Sequence, residues 1–281
     1  MMNKLFFYFV LFLPAGIVRA QNLHIITFAG VSYYQGDLQD KRFTFQQSHL
    51  ALGIGMAYEL TDQLYATANF KIGKLSGNDK NSNINQNRNL NFTSSLFTFQ
   101  PGLEYDFLSL YEYNFTPYVL AGLSVYHFNP STIDTAGNKQ YLQPLSTEGE
   151  GFYNGRKKYG LTQLSIPFGG GVKLALNENL RIGFEISLNK LFTDYIDDVS
   201  TTYVDEALLQ ANRGPVAVEL AYRGNEINHA ASYPPGGTTR GNPSNKDWFY
   251  FTGMTVSFRL GGENSSNGGG KNKSACPINV Y

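Results

Sequence analysis

The chain has 281 residues with 22 basic and 22 acidic side chains, and it is rich in Phe (21), Tyr (19) and Gly (29). A formal net charge of zero gives no electrostatic reason to expect a nucleic acid as partner. One cysteine, Cys276, excludes an internal disulfide, and no apolar run reaches the roughly 20 residues that a membrane-spanning helix needs.

The N-terminus reads as an export signal. Lys4 gives a positive start, residues 5–13 are apolar, and Val18-Arg19-Ala20 supplies a small-residue cleavage site before Gln21. The leader is therefore predicted as 1–20 and the mature start as Gln21, which is not the cysteine of a lipid anchor. Removing Lys4 and Arg19 leaves 20 basic against 22 acidic residues, a net of −2.

From there the chain alternates with period two, which puts successive side chains on opposite faces of strands. The first strand, 23–34, has apolar residues in both phases, so its inward face is not assigned. In the second, Leu50, Leu52, Ile54, Met56 and Tyr58 oppose Ala51, Gly53, Gly55 and Glu59. In the third, Leu64, Ala66, Ala68, Phe70 and Ile72 oppose Thr67, Asn69 and Lys71. The fourth sets Phe97, Phe99, Leu103, Tyr105 and Phe107 against Thr98, Gly102, Glu104 and Asp106, with Pro101 expected at an edge or bulge. Residues 115–128 make the fifth. In the sixth, Leu164, Ile166, Phe168, Val172, Leu174 and Leu176 face away from Ser165, Gly169, Gly171 and Lys173. The seventh opposes Leu180, Ile182, Phe184, Ile186, Leu188 and Phe192 to Arg181, Gly183, Glu185, Ser187 and Asn189. The eighth opposes Trp248, Tyr250, Met254, Val256, Phe258 and Leu260 to Gly253, Thr255, Ser257 and Arg259.

Eight strands, lipid outside and a narrow polar lumen inside, describe an antiparallel transmembrane β-barrel spanning 21–260. The connections agree. Those at 61–63, 108–114 and 177–179 are short, whereas 35–47, 75–91, 129–162 and 194–246 are longer, as periplasmic turns and outer loops are. The expected location is the bacterial outer membrane, with its lipid as the first partner. Tyr33, Tyr34, Tyr58, Tyr105, Phe107, Trp248 and Tyr250 lie near strand ends and suit interfacial girdles.

The expected lumen holds Glu59, Glu104, Asp106 and Glu185 with Lys71, Lys173, Arg181 and Arg259. An eight-stranded interior is just wide enough for side chains to fill, so these charges read as a paired plug rather than a wide pore. His24, His49, His127 and His229 lack metal-ligand spacing, and no cofactor motif is present. His127 near Ser124 and Ser131 offers a nucleophile-and-base reading, with a strand-end histidine at the girdle as the plainer one. Asp194, Asp197 and Asp198 read either as a calcium or carboxylate site or as turn-forming acids facing a partner. Residues 261–274, GGENSSNGGGKNKS, have linker composition and lead to Cys276 in an expected flexible periplasmic tail, 261–281.

Three segments carry a resemblance. LFTDYIDDVSTTY at 191–203, YLQPLSTEGEG at 141–151 and IPFGGGVK at 166–173 resemble segments of PorG-type barrels of the Bacteroidetes type IX secretion and gliding machinery. The likeness runs from about residue 23 to 260, and the tail departs from it. It implies a non-enzymatic barrel that anchors or positions the secretion complex beside a periplasmic ring of a lipoprotein and its partner. Asp194, Tyr195, Asp197 and Asp198 are expected to form a partner-binding loop, but that loop is expected outside the cell and the implied ring lies in the periplasm, so it is not an obvious ring contact. The competing expectation is a stand-alone barrel acting as an adhesin, a narrow channel or a lipid-modifying enzyme.

Overall fold

Strands that alternate lipid-facing and lumen-facing residues leave no sheet edge only if they close on themselves. The computed structural model describes residues 22–39, 47–81 and 85–260. The expected leader and the tail with Cys276 lie outside them. Among the described residues the strands are β1 (Leu23–Gln35), β2 (His49–Glu59), β3 (Leu64–Asn78), β4 (Asn91–Asp106), β5 (Phe115–Gly122), β6 (Ser124–Ile133), β7 (Lys139–Tyr141), β8 (Thr162–Ala175), β9 (Leu180–Leu191) and β10 (Trp248–Arg259). Every pairing is antiparallel. The ring runs β1, β2, β3, β4, then β5 with β6, then β8, β9 and β10, which pairs with β1 again.

β5 and β6 form one stave of an eight-stave barrel. Gly102 pairs with Gly122 below Leu123 and Phe99 with Val125 above it, so the register carries through without an inserted residue. Leu123 donates its N–H to the Pro101 carbonyl at 3.0 Å, and proline has no N–H to return. The expected edge or bulge at Pro101 is therefore corrected. The residue sits in the middle of a closed sheet and removes one ladder bond. β7 is a short ribbon paired to the upper end of β6.

The outward faces carry the lipid belt. Leu50, Leu52, Ile54 and Met56 on β2, Phe97, Phe99 and Leu103 on β4, Leu164 on β8, and Met254, Val256 and Phe258 on β10 are large apolar side chains left exposed. From Phe97 to Phe107 the belt covers about ten steps of roughly 3.4 Å at a tilt of about 40°, or about 25 Å of height, which matches a barrel's apolar band. No helix of the described residues is long and apolar enough to cross a membrane. On β1 the inward phase is His24, Phe28, Ser32 and Tyr34, which settles the face left unassigned. Tyr34 is thus removed from the expected girdle, whereas Tyr33 stacks on Tyr250 at 4.9 Å in the opposite, outward phase, where both rings are nonetheless buried.

Several strands run further outward than the alternation suggested. β3 continues to Asn78, β4 begins at Asn91 rather than at Phe97, and β6 reaches Ile133. In these extensions the pattern inverts. Lys74, Thr93 and Ser95 point outward, while Leu75, Phe92 and Leu96 point in and are buried. Above the membrane the outer face meets water and the inner face becomes a hydrophobic core. The two longest outer connections are not open loops either. They contain α1 (Leu142–Leu145), α2 (Glu206–Arg213) and α3 (Pro215–Ala221). Asp205 caps α2 by accepting from the Leu208 N–H, and Pro215 opens α3.

Candidate functional site: the filled lumen and the outer cap

The lower lumen is assembled from strands that each contribute one or two charged residues at inward positions. Lys71 on β3 meets Glu185 on β9 at 2.5 Å, and Tyr118 on β5 donates to the other Glu185 oxygen at 3.2 Å. Lys173 on β8 bonds Glu104 and, at 2.9 Å, Asp106, both on β4. Arg181 donates to the Tyr65 hydroxyl at 3.1 Å. Glu59 accepts from the Tyr111 hydroxyl at 2.7 Å and lies 3.5 Å from His24, and the Arg259 guanidinium covers the Tyr111 ring. All eight charges expected in the lumen are there, four of each sign, so the layer carries no formal excess charge. Sequence reasoning missed His24, Tyr65 and Tyr118, whose polar tips complete the network.

Little room remains. The cavity among these side chains measures about 40 Å³, space for a few water molecules. Below it, toward the short turns, a vestibule of about 520 Å³ opens between Tyr111, Asn114, Asn177, Glu178, Arg181 and Arg259.

The upper lumen is built from rings. Lys71 lies 4.6 Å from the Phe28 ring, where the ionic layer ends. Above it Phe28 packs edge-on to Phe251, Phe251 to Phe249, and Phe249 to Tyr126, with centroids 5.5–6.1 Å apart. Tyr126 stacks with Phe128, Phe128 with Tyr159, and Tyr159 with Tyr195 at 4.9 Å. This column links the ionic layer to the cap.

The cap is where the four sequence-marked loop residues sit. Asp194, Asp197 and Asp198 do not face solvent; all three are buried, and Tyr195 is half-buried. Asp198 accepts from Thr147 at 2.6 Å and from Tyr159 at 2.5 Å, and Asp197 accepts from Tyr34 at 2.5 Å. Glu148, fully buried, accepts from the Ser200 and Thr201 N–H groups at 2.9 Å and from Arg240 at 3.0 Å. The segments 141–151 and 191–203, far apart in sequence, therefore interlock. Gly149 (φ +82°) permits that fold, because a Cβ there would lie 2.6 Å from both Tyr153 and Val204. Arg88 clasps Asp79 with two hydrogen bonds and reaches the carbonyls of Asp37 and Arg240, tying the first, second and fourth outer connections together. Burial raises the cap acids above the ordinary carboxylate range: Asp194 to about 7, Asp198 to about 6, and Glu150, beside Asp198 and Glu148, to about 8. Glu148 was visible within a marked segment. Arg240 and Asp247 had no local signal.

Two sequence readings are answered by position. Ser124 points inward and His127 outward from the same stave, so they cannot form a dyad; Ser131 is four residues from His127, and His127 instead contacts Thr162 at 2.9 Å. Among the described residues no three or more His, Cys, Asp or Glu side chains converge to hold a metal ion.

Among solved structures the chain is similar to Neisserial surface protein A, at 12% identity over 85% of this chain and 97% of that one, with a TM-score of 0.44. OprG of Pseudomonas aeruginosa is similar at 11% identity over 85% and 98%, with a TM-score of 0.41. A major outer-membrane protein of Thermus thermophilus is similar at 11% identity over 85% and 99%, with a TM-score of 0.40. The barrel assignment rests on this chain's own closed ring of strands. No curated relative matches the sequence. A family model described as a domain of unknown function (DUF6089) matches residues 3–210.

Proposed function

The chain belongs to the DUF6089 family, and we propose that it is a bacterial outer-membrane barrel that works by contact and not by conduction. The observation that carries this reading is the double filling of the lumen, by a charge-balanced ionic layer below and an aromatic column with an interlocked cap above. The ionic layer leaves a cavity of only about 40 Å³ among its side chains, and the rings above it are in edge-on and stacked contact. A barrel of eight staves is also too narrow to pass a folded protein. Its contribution must then come from the surfaces it presents: short turns on one side, the folded cap on the other.

The finer proposal is that these contacts anchor or position a type IX secretion complex and its periplasmic ring. What supports it is the resemblance of 141–151, 166–173 and 191–203, together with the packing of the first and last of these segments into one unit. Because Asp194, Asp197 and Asp198 are interior, they serve the partner surface by shaping the cap rather than by touching the partner. Deleting the protein is expected to block export of type IX cargo, and gentle purification from membranes to bring down periplasmic ring proteins. Normal secretion by the deletion strain, with the barrel purifying alone, would replace this reading by that of a stand-alone surface barrel.

A further inference from the structure

The connection from 192 to 247, which forms most of the cap, leaves β9 and re-enters β10 through a narrow neck. Leu191 donates its N–H to the Asp247 carbonyl, and Asp247 donates its N–H to the Thr193 carbonyl, each at 3.3 Å. Four aspartates gather at this neck from three places in the chain: Asp37 after β1, Asp194 and Asp197 on the outgoing strand end, and Asp247 on the returning one. One hydroxyl serves two of them, because Tyr34 lies 2.5 Å from an Asp197 oxygen and 3.4 Å from an Asp247 oxygen. Backbone amides take three further oxygens: Val199 to Asp197 at 2.9 Å, Ile196 to Asp247 at 3.1 Å and Asn242 to Asp37 at 2.9 Å. Asp194 is only 2% exposed, yet neither of its oxygens has a partner in hydrogen-bonding geometry; Ser200 approaches it without reaching that geometry. A buried carboxylate in that position lacks its neutralising ligand.

Among the described residues the nearby cations are already engaged. Arg88 and Arg240 act on Asp37, but the first is clasped by Asp79 and the second by Glu148. Lys246 acts on Asp194 while donating to the Pro243 carbonyl. The other described groups facing the cluster, Glu148, Tyr126 and Tyr159, are acidic or neutral. With no convergent metal-ligand set among the described residues, protons are the neutralising charge that the geometry leaves.

We propose that Asp37, Asp194, Asp197 and Asp247 form a pH-sensitive latch at the neck of the cap, closed while the cluster holds protons and loosened as it ionises. Burial raises all four above the ordinary carboxylate value, Asp194 to about 7 and Asp197 and Asp247 well above that ordinary value. A carboxyl with a raised pKa in the closed state stabilises that state fully below its open-state value, near 4, and loses the contribution as pH rises through its closed-state value. In that window each such group shifts the closed-to-open ratio by about tenfold per pH unit.

The test is hydrogen exchange on the full barrel in detergent at pH 5 and pH 8, corrected for the intrinsic exchange rate. Amides in 192–205 and 238–247 should open at least about tenfold more at pH 8, while those of β9 stay protected. The D194N variant gives up no well-formed hydrogen bond, and it should flatten this pH dependence; D194N/D247N should flatten it further. Equal protection at both pH values, an unchanged pH dependence in D194N, or closure at pH 8 that requires added calcium would each overturn the latch.

Discussion

Near the short turns, Lys71, Lys173, Arg181 and Arg259 answer Glu59, Glu104, Asp106 and Glu185, and the space between them has room for a few waters. Near the long loops, Phe92, Leu96, Tyr126, Phe128, Phe249 and Phe251 belong to one buried hydrophobic cluster. The same eight staves thus enclose two kinds of interior. The membrane surface explains the difference. Within the bilayer the outer face must be apolar, and a polar interior keeps the two faces distinct. Above it the outer face meets water, so the inner face is free to become a core and to carry a folded cap. The ionic half depends on pairing, and the aromatic half on volume.

Each half should respond to the insult that suits it. F249A removes a fully buried ring from the middle of the column and should cost about 3–5 kcal/mol. Urea unfolding of the detergent-solubilised barrel reads that loss, and protease sensitivity of the cap should rise with it. K71M strands Glu185 with one hydroxyl donor and should cost about 3 kcal/mol, whereas K71M/E185L should recover most of it. If the single and double variants were equally unstable, the ionic layer would owe its strength to packing and the contrast would fail. On the outer face F184R should lose about 2–4 kcal/mol where Phe184 meets the bilayer midplane. Ser187 is buried inside, so S187R should instead perturb the lumen and leave insertion into lipid vesicles unchanged. The smallest effect is expected at the vestibule. Y111F takes one donor from Glu59, which still lies 3.5 Å from His24, and should cost about 1 kcal/mol.

Legibility in the sequence followed the same divide. Where lipid faced a polar lumen, as from Leu50 to Glu59 and from Leu180 to Asn189, alternation gave both the strands and the inward charges. Where a core replaced the lumen it misled. From Trp248 to Phe251 the outward phase of Trp248 and Tyr250 was legible but the inward core residues Phe249 and Phe251 were not, and Phe92 and Leu96 in the opposite phase hid the start of β4. Tyr34 was placed in a girdle because a tyrosine at a strand end suits both an interface and a hydrogen-bonded interior. In the cap, Asp194, Tyr195, Asp197 and Asp198 stood out as a motif, but their partners Tyr34, Glu148, Arg240 and Asp247 come from distant segments that no local pattern joins.

The claim on which the rest depends is that the barrel is closed. Conductance of the purified wild-type protein in a planar lipid bilayer tests it directly. A barrel filled by the ionic layer and the aromatic column should give no stable conductance steps, even with residues 192–247 trimmed, because the ionic layer remains. Reproducible channel steps from the intact wild-type barrel would contradict the account.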